Sequence, residues 1–256
     1  MKQKEILKSN QNNYETLYSK EEAFLRYPAD WIIRFHNMFL KRNISSDSTI
    51  LDYGCGSGNN SIFFLQKGYS VFGVDVAPSF KSLVSKNLHL NNLNNSFLEN
   101  FRLIEPETVN LDFPDNHFDF VFSNQVLYYL PSEEHIKYVC SEIKRVLRPN
   151  GFVFFTMMGP RNYYITHHLK QVHEKRIYEI SIDDEKNRLY GVREFILVVK
   201  DENDLCSLFD AFEPLTTGYV DQKMFDLYSS FHYIFVGKKT TNKAIQPTAM
   251  PLSSKG

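Results

Sequence analysis

Thr49-Ile50-Leu51-Asp52-Tyr53-Gly54-Cys55-Gly56-Ser57-Gly58-Asn59 decides the fold. A short apolar run ends in an acid, three glycines follow at alternate positions, and a helical pattern over residues 60–67 runs to Gly68. That order predicts a strand, a tight turn and a helix, the geometry in which α/β proteins hold nucleotide-like ligands. Glycine lets the turn take positive φ and approach a ligand with bare backbone. The helix behind it aims unpaired N–H groups at the turn. A dinucleotide-binding Gly-x-Gly-x-x-Gly would need glycine where Asn59 stands, and no Gly-Lys-Ser/Thr follows to make a P-loop.

The next apolar run, Tyr69-Ser70-Val71-Phe72-Gly73-Val74-Asp75-Val76-Ala77, also ends in an acid. It lies about twenty residues beyond the glycines, the distance at which a second-strand acid meets a ribose diol. A carboxylate offers two oxygens to two hydroxyls through charge-assisted bonds. Asp75 is therefore the leading cofactor residue, and it also stands where it could cap the helix that follows.

Outward from these runs, strands and helices alternate: strand 70–75, helix 79–90, strand 101–104, strand 118–123, helix 132–147 and strand 151–158. Alternation of this kind predicts a parallel sheet with right-handed crossovers. Ser132 is placed to cap helix 132–147, and Ile136, Val139, Cys140, Ile143, Val146 and Leu147 form its apolar stripe. Ahead of the first strand, Trp31, Ile32, Phe35, Met38 and Phe39 share one face of a helix over residues 29–42. Residues 1–18 are polar and read as loosely ordered at their start. A helix over 204–212 and two strand-like runs, 216–224 and 230–236, close the pattern as an antiparallel hairpin. The expected organisation is an N-terminal helical cap over 1–44, a main domain over 45–240 and a disordered tail over 241–256.

Composition narrows the functional classes. Hydrophobic residues are 43% of 256, enough for a sizeable core, and the net charge of −1 creates no basic field for nucleic acid or anionic membrane. No apolar run is long enough for a membrane span, and the N-terminus lacks a signal-peptide core. Cys55, Cys140 and Cys206 are odd in number and far apart, which fits a reducing, cytoplasmic setting with neither a disulfide framework nor zinc spacing.

The glycine run resembles the first motif of class I S-adenosylmethionine-dependent methyltransferases. Three further stretches extend the likeness over residues 49–158: Asp75 after the second strand, Leu111-Asp112-Phe113-Pro114-Asp115-Asn116-His117-Phe118-Asp119 before the fourth, and Leu147-Arg148-Pro149-Asn150-Gly151 before the fifth. The resemblance implies a doubly wound α/β fold, Rossmann-like, with a seven-stranded mixed sheet and a C-terminal antiparallel hairpin. It implies S-adenosyl-L-methionine as cofactor and a small-molecule acceptor with an O, N or C nucleophile. Residue by residue, it places Asp52 near the methionine amino group and Gly54, Gly56 and Gly58 around the methionine portion. Asp75 would bind the ribose, Val76 would pack on adenine, and Ser123 and Asn124 would flank the sulfonium. Glu105 or Glu107 would contact the adenine amine.

Two departures matter. The fourth-strand tip reads Asn124-Gln125-Val126-Leu127, without the proline pair of enzymes acting on base or amide nitrogens. Tyr128-Tyr129 stand where many relatives of the small-molecule type carry a histidine. The general base is thus unassigned, with Tyr129, His167 and His168 as its candidates; the spacing of His173 from that pair argues against a metal site. Residues 159–200, rich in tyrosine and histidine, read as a substrate lid. Two other readings remain open at this level: a noncatalytic S-adenosylmethionine-binding partner protein, and an NAD-dependent oxidoreductase, which Asn59 disfavours.

Overall fold

A computed structural model describes residues 3–21, 24–173, 176–185, 190–223 and 230–240. The expected tail over 241–256 and the end of the strand expected over 216–224 fall outside them. Seven strands form the central sheet: β1 (Thr49–Tyr53), β2 (Ser70–Asp75), β3 (Phe101–Leu103), β4 (Phe118–Ser123), β5 (Leu147–Met158), β9 (Glu213–Val220) and β10 (His232–Lys238). Their order is β3-β2-β1-β4-β5-β10-β9. β1 pairs in parallel with both β2 and β4, while β10 runs antiparallel to β5 and β9. The strand order reverses between β1 and β4, so the carboxyl end of β1 is the crevice where such sheets bind ligands. This is the mixed, doubly wound sheet with a closing hairpin that the sequence predicts.

Helices cover both faces. α3 (Asn59–Gln66) and α4 (Phe80–Leu90) pack one core with Phe64, Phe80, Phe120 and Phe122. α5 (Glu133–Val146) and α7 (Glu202–Leu208) pack the other with Phe118, Phe155, Phe209 and Phe235. Ser132 caps α5 by accepting from the His135 N–H at 3.1 Å, and the expected stripe from Ile136 to Val146 is buried.

Several expectations change. The polar N-terminus is a helix, α1 (Gln3–Ser19), which buries Ile6, Leu7, Asn10, Leu17 and Tyr18. The helix expected over 29–42 is α2 (Asp30–Met38) followed by a single tighter turn at Leu40–Arg42. Its buried side chains are Ile32 and His36, whereas Met38 is 71% exposed. The fifth strand, expected over 151–158, begins earlier: Pro149 and Asn150 lie within β5, where Asn150 takes a φ of 66° and the chain pairs with Lys239. The lid segment carries a short helix, α6 (Tyr163–His168), and a second antiparallel sheet of β6 (Leu169–His173), β7 (Ile177–Ser181) and β8 (Arg193–Leu197).

α1 completes this second sheet. Asn10 donates to the Phe195 carbonyl at 2.9 Å and accepts from the Phe195 N–H at 3.1 Å, as a neighbouring strand would. It also donates to the Tyr129 carbonyl at 3.0 Å, and Asn13 donates to the Arg193 carbonyl. Asn10 is 4% exposed and satisfied, so these bonds fasten the helix to β8. No helix among the described residues is long and apolar enough to cross a membrane.

Candidate active site

The carboxyl ends of β1, β2, β4 and β5 open into a cavity of about 600 Å³, roofed by α1 and by the lid sheet. That volume lies in the range of about 300–1,000 Å³ usual for small-molecule sites.

One end is the glycine turn. Gly54 and Gly56 have φ of 81° and 52°, which a side chain would strain. A Cβ on Gly54 would lie 2.4 Å from a methyl of Val126, and one on Gly56 would lie 2.8 Å from the Tyr18 hydroxyl. The turn is bare because its surroundings leave room for backbone only. Asp75, at the tip of β2, is 7% exposed and ties the turn to its own strand end. One carboxylate oxygen accepts from the Gly56 N–H at 2.8 Å and the other from the Ala77 N–H at 3.0 Å. Burial raises its pKa, opposed by those backbone bonds. Each oxygen keeps a second lone pair for a ligand hydroxyl. α1 reaches this end too: Gln11 donates to the Val76 carbonyl at 2.7 Å, and Glu15 holds the Ser79 N–H at 2.8 Å.

The structure sorts the residues named from sequence. Gly54, Gly56, Asp75, Val76, Asn124 and Tyr129 line the cavity together. Asn124 accepts from the Trp31 indole N–H at 2.8 Å. Asp52, Gly58 and Ser123 stand behind the wall. Asp52 accepts from the Ser61 hydroxyl at 2.6 Å, and burial lifts its carboxyl to about 7. Gly58 caps α3 with φ of 73°, and Ser123 donates to the Tyr53 carbonyl at 2.9 Å. Glu105 and Glu107 lie outside the lining, although Ile104 and Pro106 belong to it. His167 and His168 are also outside it: they end α6, with His167 stacked on Tyr163 at a centroid distance of 4.4 Å. His173 pairs with Glu179 at 2.6 Å on the lid sheet.

The far end of the cavity holds residues that the motif pattern passed over. Glu194, on β8, is 5% exposed, and no cation pairs with it among the described residues. Burial lifts its carboxyl to about 7, against a hydrogen bond from Tyr129. Tyr14 donates to the Tyr129 hydroxyl at 2.5 Å, and Tyr129 in turn hydrogen-bonds both Glu194 and Tyr128. Burial raises Tyr14, Tyr128 and Tyr129 above the usual phenol range, so all three stay protonated. His232 begins β10 opposite Met158 at the end of β5. Its Nδ1 lies 3.3 Å from the Ser230 carbonyl and 3.4 Å from the Ser230 hydroxyl; the carbonyl can only accept, which favours the tautomer with the proton on Nδ1. Nε2 is then a lone-pair acceptor, buried and without a partner among the described residues. Burial lowers the imidazole to about 4, so it is neutral near pH 7. The sequence signal for Glu194 was a lone acid at the mouth of the apolar run 195–199; for His232 it was a histidine within a strand.

Comparison with known proteins places this architecture. Residues 51–155 match the family described as the methyltransferase domain. Phosphoethanolamine N-methyltransferase 3 of Arabidopsis thaliana is 24% identical over 178 residues, covering 63% of this chain and 35% of the relative. Ubiquinone biosynthesis O-methyltransferase of Nitrosomonas europaea is 30% identical over 120 residues, covering 46% and 48%. The chain thus spans about half the length, or less, of these two curated relatives. Among solved structures, a methyltransferase from Methanosarcina mazei superposes with a TM-score of 0.61 at 22% identity, over 78% of this chain and 96% of that one. Residues 51–155 are thus similar to the methyltransferase domain family, and the strand order and glycine turn give the chain the fold of the solved methyltransferase.

Proposed function

We propose that this protein transfers a methyl group from S-adenosylmethionine to a nucleophilic atom of a small molecule. The observation that carries the reading is a single cavity with two chemically different ends. One is a bare glycine turn with a buried carboxylate; the other is an aromatic pocket holding two proton acceptors. The residues present fit the cofactor. Gly54 and Gly56 leave a backbone cradle that any Cβ would obstruct, and both Asp75 oxygens retain acceptor capacity beside it. Asp30, Asp75 and Glu194 are the charged side chains of the described lining, which carries no lysine or arginine. An acidic wall of this kind suits a cationic ligand.

When bound, the cofactor supplies a methyl group already activated by its sulfonium. The protein's own tasks are then positioning and exclusion of water. Gly54 and Gly56 would meet the methionine portion, Asp75 the ribose diol, and Val76 the adenine. Asn124, braced by Trp31, would border the reacting end. α1, held by Asn10 at one end of the cavity and by Gln11 and Glu15 at the other, roofs the site against solvent. Alignment of two reactants in such an enclosure lowers a displacement barrier by several kcal/mol, up to about 10. Glu194, Tyr129 and His232 border the space left for the acceptor, where a proton leaving it would be received.

Two measurements test the reading. Calorimetry with S-adenosylhomocysteine should show one site per chain, and labelled-methyl transfer to pooled small metabolites should yield a product that depends on the protein. Absence of binding would refute it.

A further inference from the structure

We propose that the acceptor is an amine, held by Glu194 and by Nε2 of His232 at the far end of the cavity, with Glu194 receiving the proton that the nitrogen loses. This rests on the methyltransferase reading and names its substrate class.

The argument concerns what the pocket accepts and what charge it tolerates. Two of the hydroxyl protons there are directed inward: Tyr14 donates to Tyr129, and Tyr129 donates to Glu194. The buried acceptors that remain for a ligand are the Glu194 carboxylate and Nε2 of His232. An ammonium or amine carries two or three N–H donors and can satisfy both; a hydroxyl carries one. A buried acceptor left unmatched is costly, so the donor-rich ligand is selected. The walls agree: Tyr14, Tyr128 and Tyr129 present aromatic rings whose faces attract a cation, with Tyr128 and Tyr129 centroids 4.5 Å apart.

Charge excludes the alternatives. Oxygen nucleophiles are activated by becoming anions, and a phosphorylated or carboxylated acceptor brings an anion with it. The described lining offers neither a lysine nor an arginine for either, and its one histidine, His232, is neutral near pH 7. An amine reaches its nucleophilic form by going from cation to neutral, which an acidic pocket permits. The step balances. An N–H proton passes to the Glu194 carboxylate. The freed nitrogen lone pair forms the N–C bond, and the pair of the breaking S–C bond stays on sulfur as a neutral thioether. The product is the methylated ammonium, and Glu194 is left neutral. A carboxyl lifted to about 7 by burial has the right basicity to exchange that proton near neutral pH.

The test uses the full chain. S-adenosylhomocysteine is titrated first; then the resulting complex receives matched aryl and alkyl probes that differ only in ending as amine, alcohol or carboxylate. Amines should bind about tenfold or more tightly than their alcohol and acid counterparts, as charge-assisted bonds require. Glu194→Gln should weaken amine binding by a similar factor, leave alcohol binding unchanged, and keep S-adenosylhomocysteine affinity within about twofold. His232→Phe should weaken amine binding as well. An alcohol or acid that binds as well as the amine, an amine affinity unchanged by Glu194→Gln, or no amine bound at all would overturn the proposal. Failure of the first titration would instead strike the methyltransferase reading itself.

Discussion

Replacing Asp75 by asparagine tests the cofactor end with little change of shape. The carboxylate holds the Gly56 and Ala77 N–H groups, and in the reading proposed above its remaining lone pairs accept from the ribose hydroxyls. Asparagine keeps one oxygen and puts an amide NH₂ where the other stood. It can satisfy one backbone donor, and it opposes the second. Toward a ribose diol it loses the charge and one acceptor. Two charge-assisted bonds at about 1.5 kcal/mol each are worth about 3 kcal/mol, or about 150-fold in affinity. Calorimetry with S-adenosylhomocysteine should show the dissociation constant rising by at least about tenfold, even if water replaces one bond. Asp75→Ala goes further, because both buried N–H groups lose their acceptor at about 1–3 kcal/mol each. That variant should melt measurably lower. An Asp75→Asn protein that stays folded and binds within about threefold of the parent would refute the role argued for this acid.

Other expectations follow from the same geometry. Gly56→Ala, whose Cβ would lie 2.8 Å from the Tyr18 hydroxyl at a φ of 52°, should cost about 1 kcal/mol of stability and weaken S-adenosylhomocysteine binding; urea titration and calorimetry measure both. Asn10→Ala removes three bonds at a buried site and should cost about 3 kcal/mol, with faster amide exchange across residues 3–19 as its local signature. Asp52 and Glu194 are both raised to about 7 in the folded chain, so the fold favours their protonated forms. Their contribution is complete below the unfolded carboxylate range near 4 and is lost as pH rises through about 7. The ligand-free protein should therefore unfold at lower urea at pH 8 than at pH 5, and Glu194→Gln should flatten that slope.

The sheet was legible because its signals are local and redundant. β1, β2 and β4 are apolar runs with turn residues at their ends, and Gly54, Gly56 and Asp75 announce a crevice that the strand order then creates. α1 was not legible, because its stretch is rich in Asn, Gln and Lys and its attachment to β8 depends on two polar side chains, Asn10 and Asn13, meeting a strand some 180 residues away. The second sheet was hidden for a similar reason: β6 reads Leu-Lys-Gln-Val-His and is mostly exposed, so it carries no alternating face. Met38 misled in the opposite sense. Its spacing suits a buried stripe, but the stripe is used by His36, which meets the Tyr69 hydroxyl at 3.2 Å. Of the far end of the cavity only Tyr129 was named from sequence, because its parts come from α1, the 127–129 turn, β8 and β10, which only the folded chain assembles. The recognisable motifs lie within residues 49–158, and Glu194 and His232 lie outside them.

The attachment of α1 has a consequence for solubility. β8 is the last strand of its sheet, and Asn10 and Asn13 occupy hydrogen-bonding groups that would otherwise invite a foreign strand. Any movement that lifts this helix to admit a ligand also uncovers a sticky backbone edge. Occupancy of the cavity and resistance to aggregation should therefore rise together: light scattering on gentle warming should begin later with S-adenosylhomocysteine present, and earlier when Asn10 is alanine.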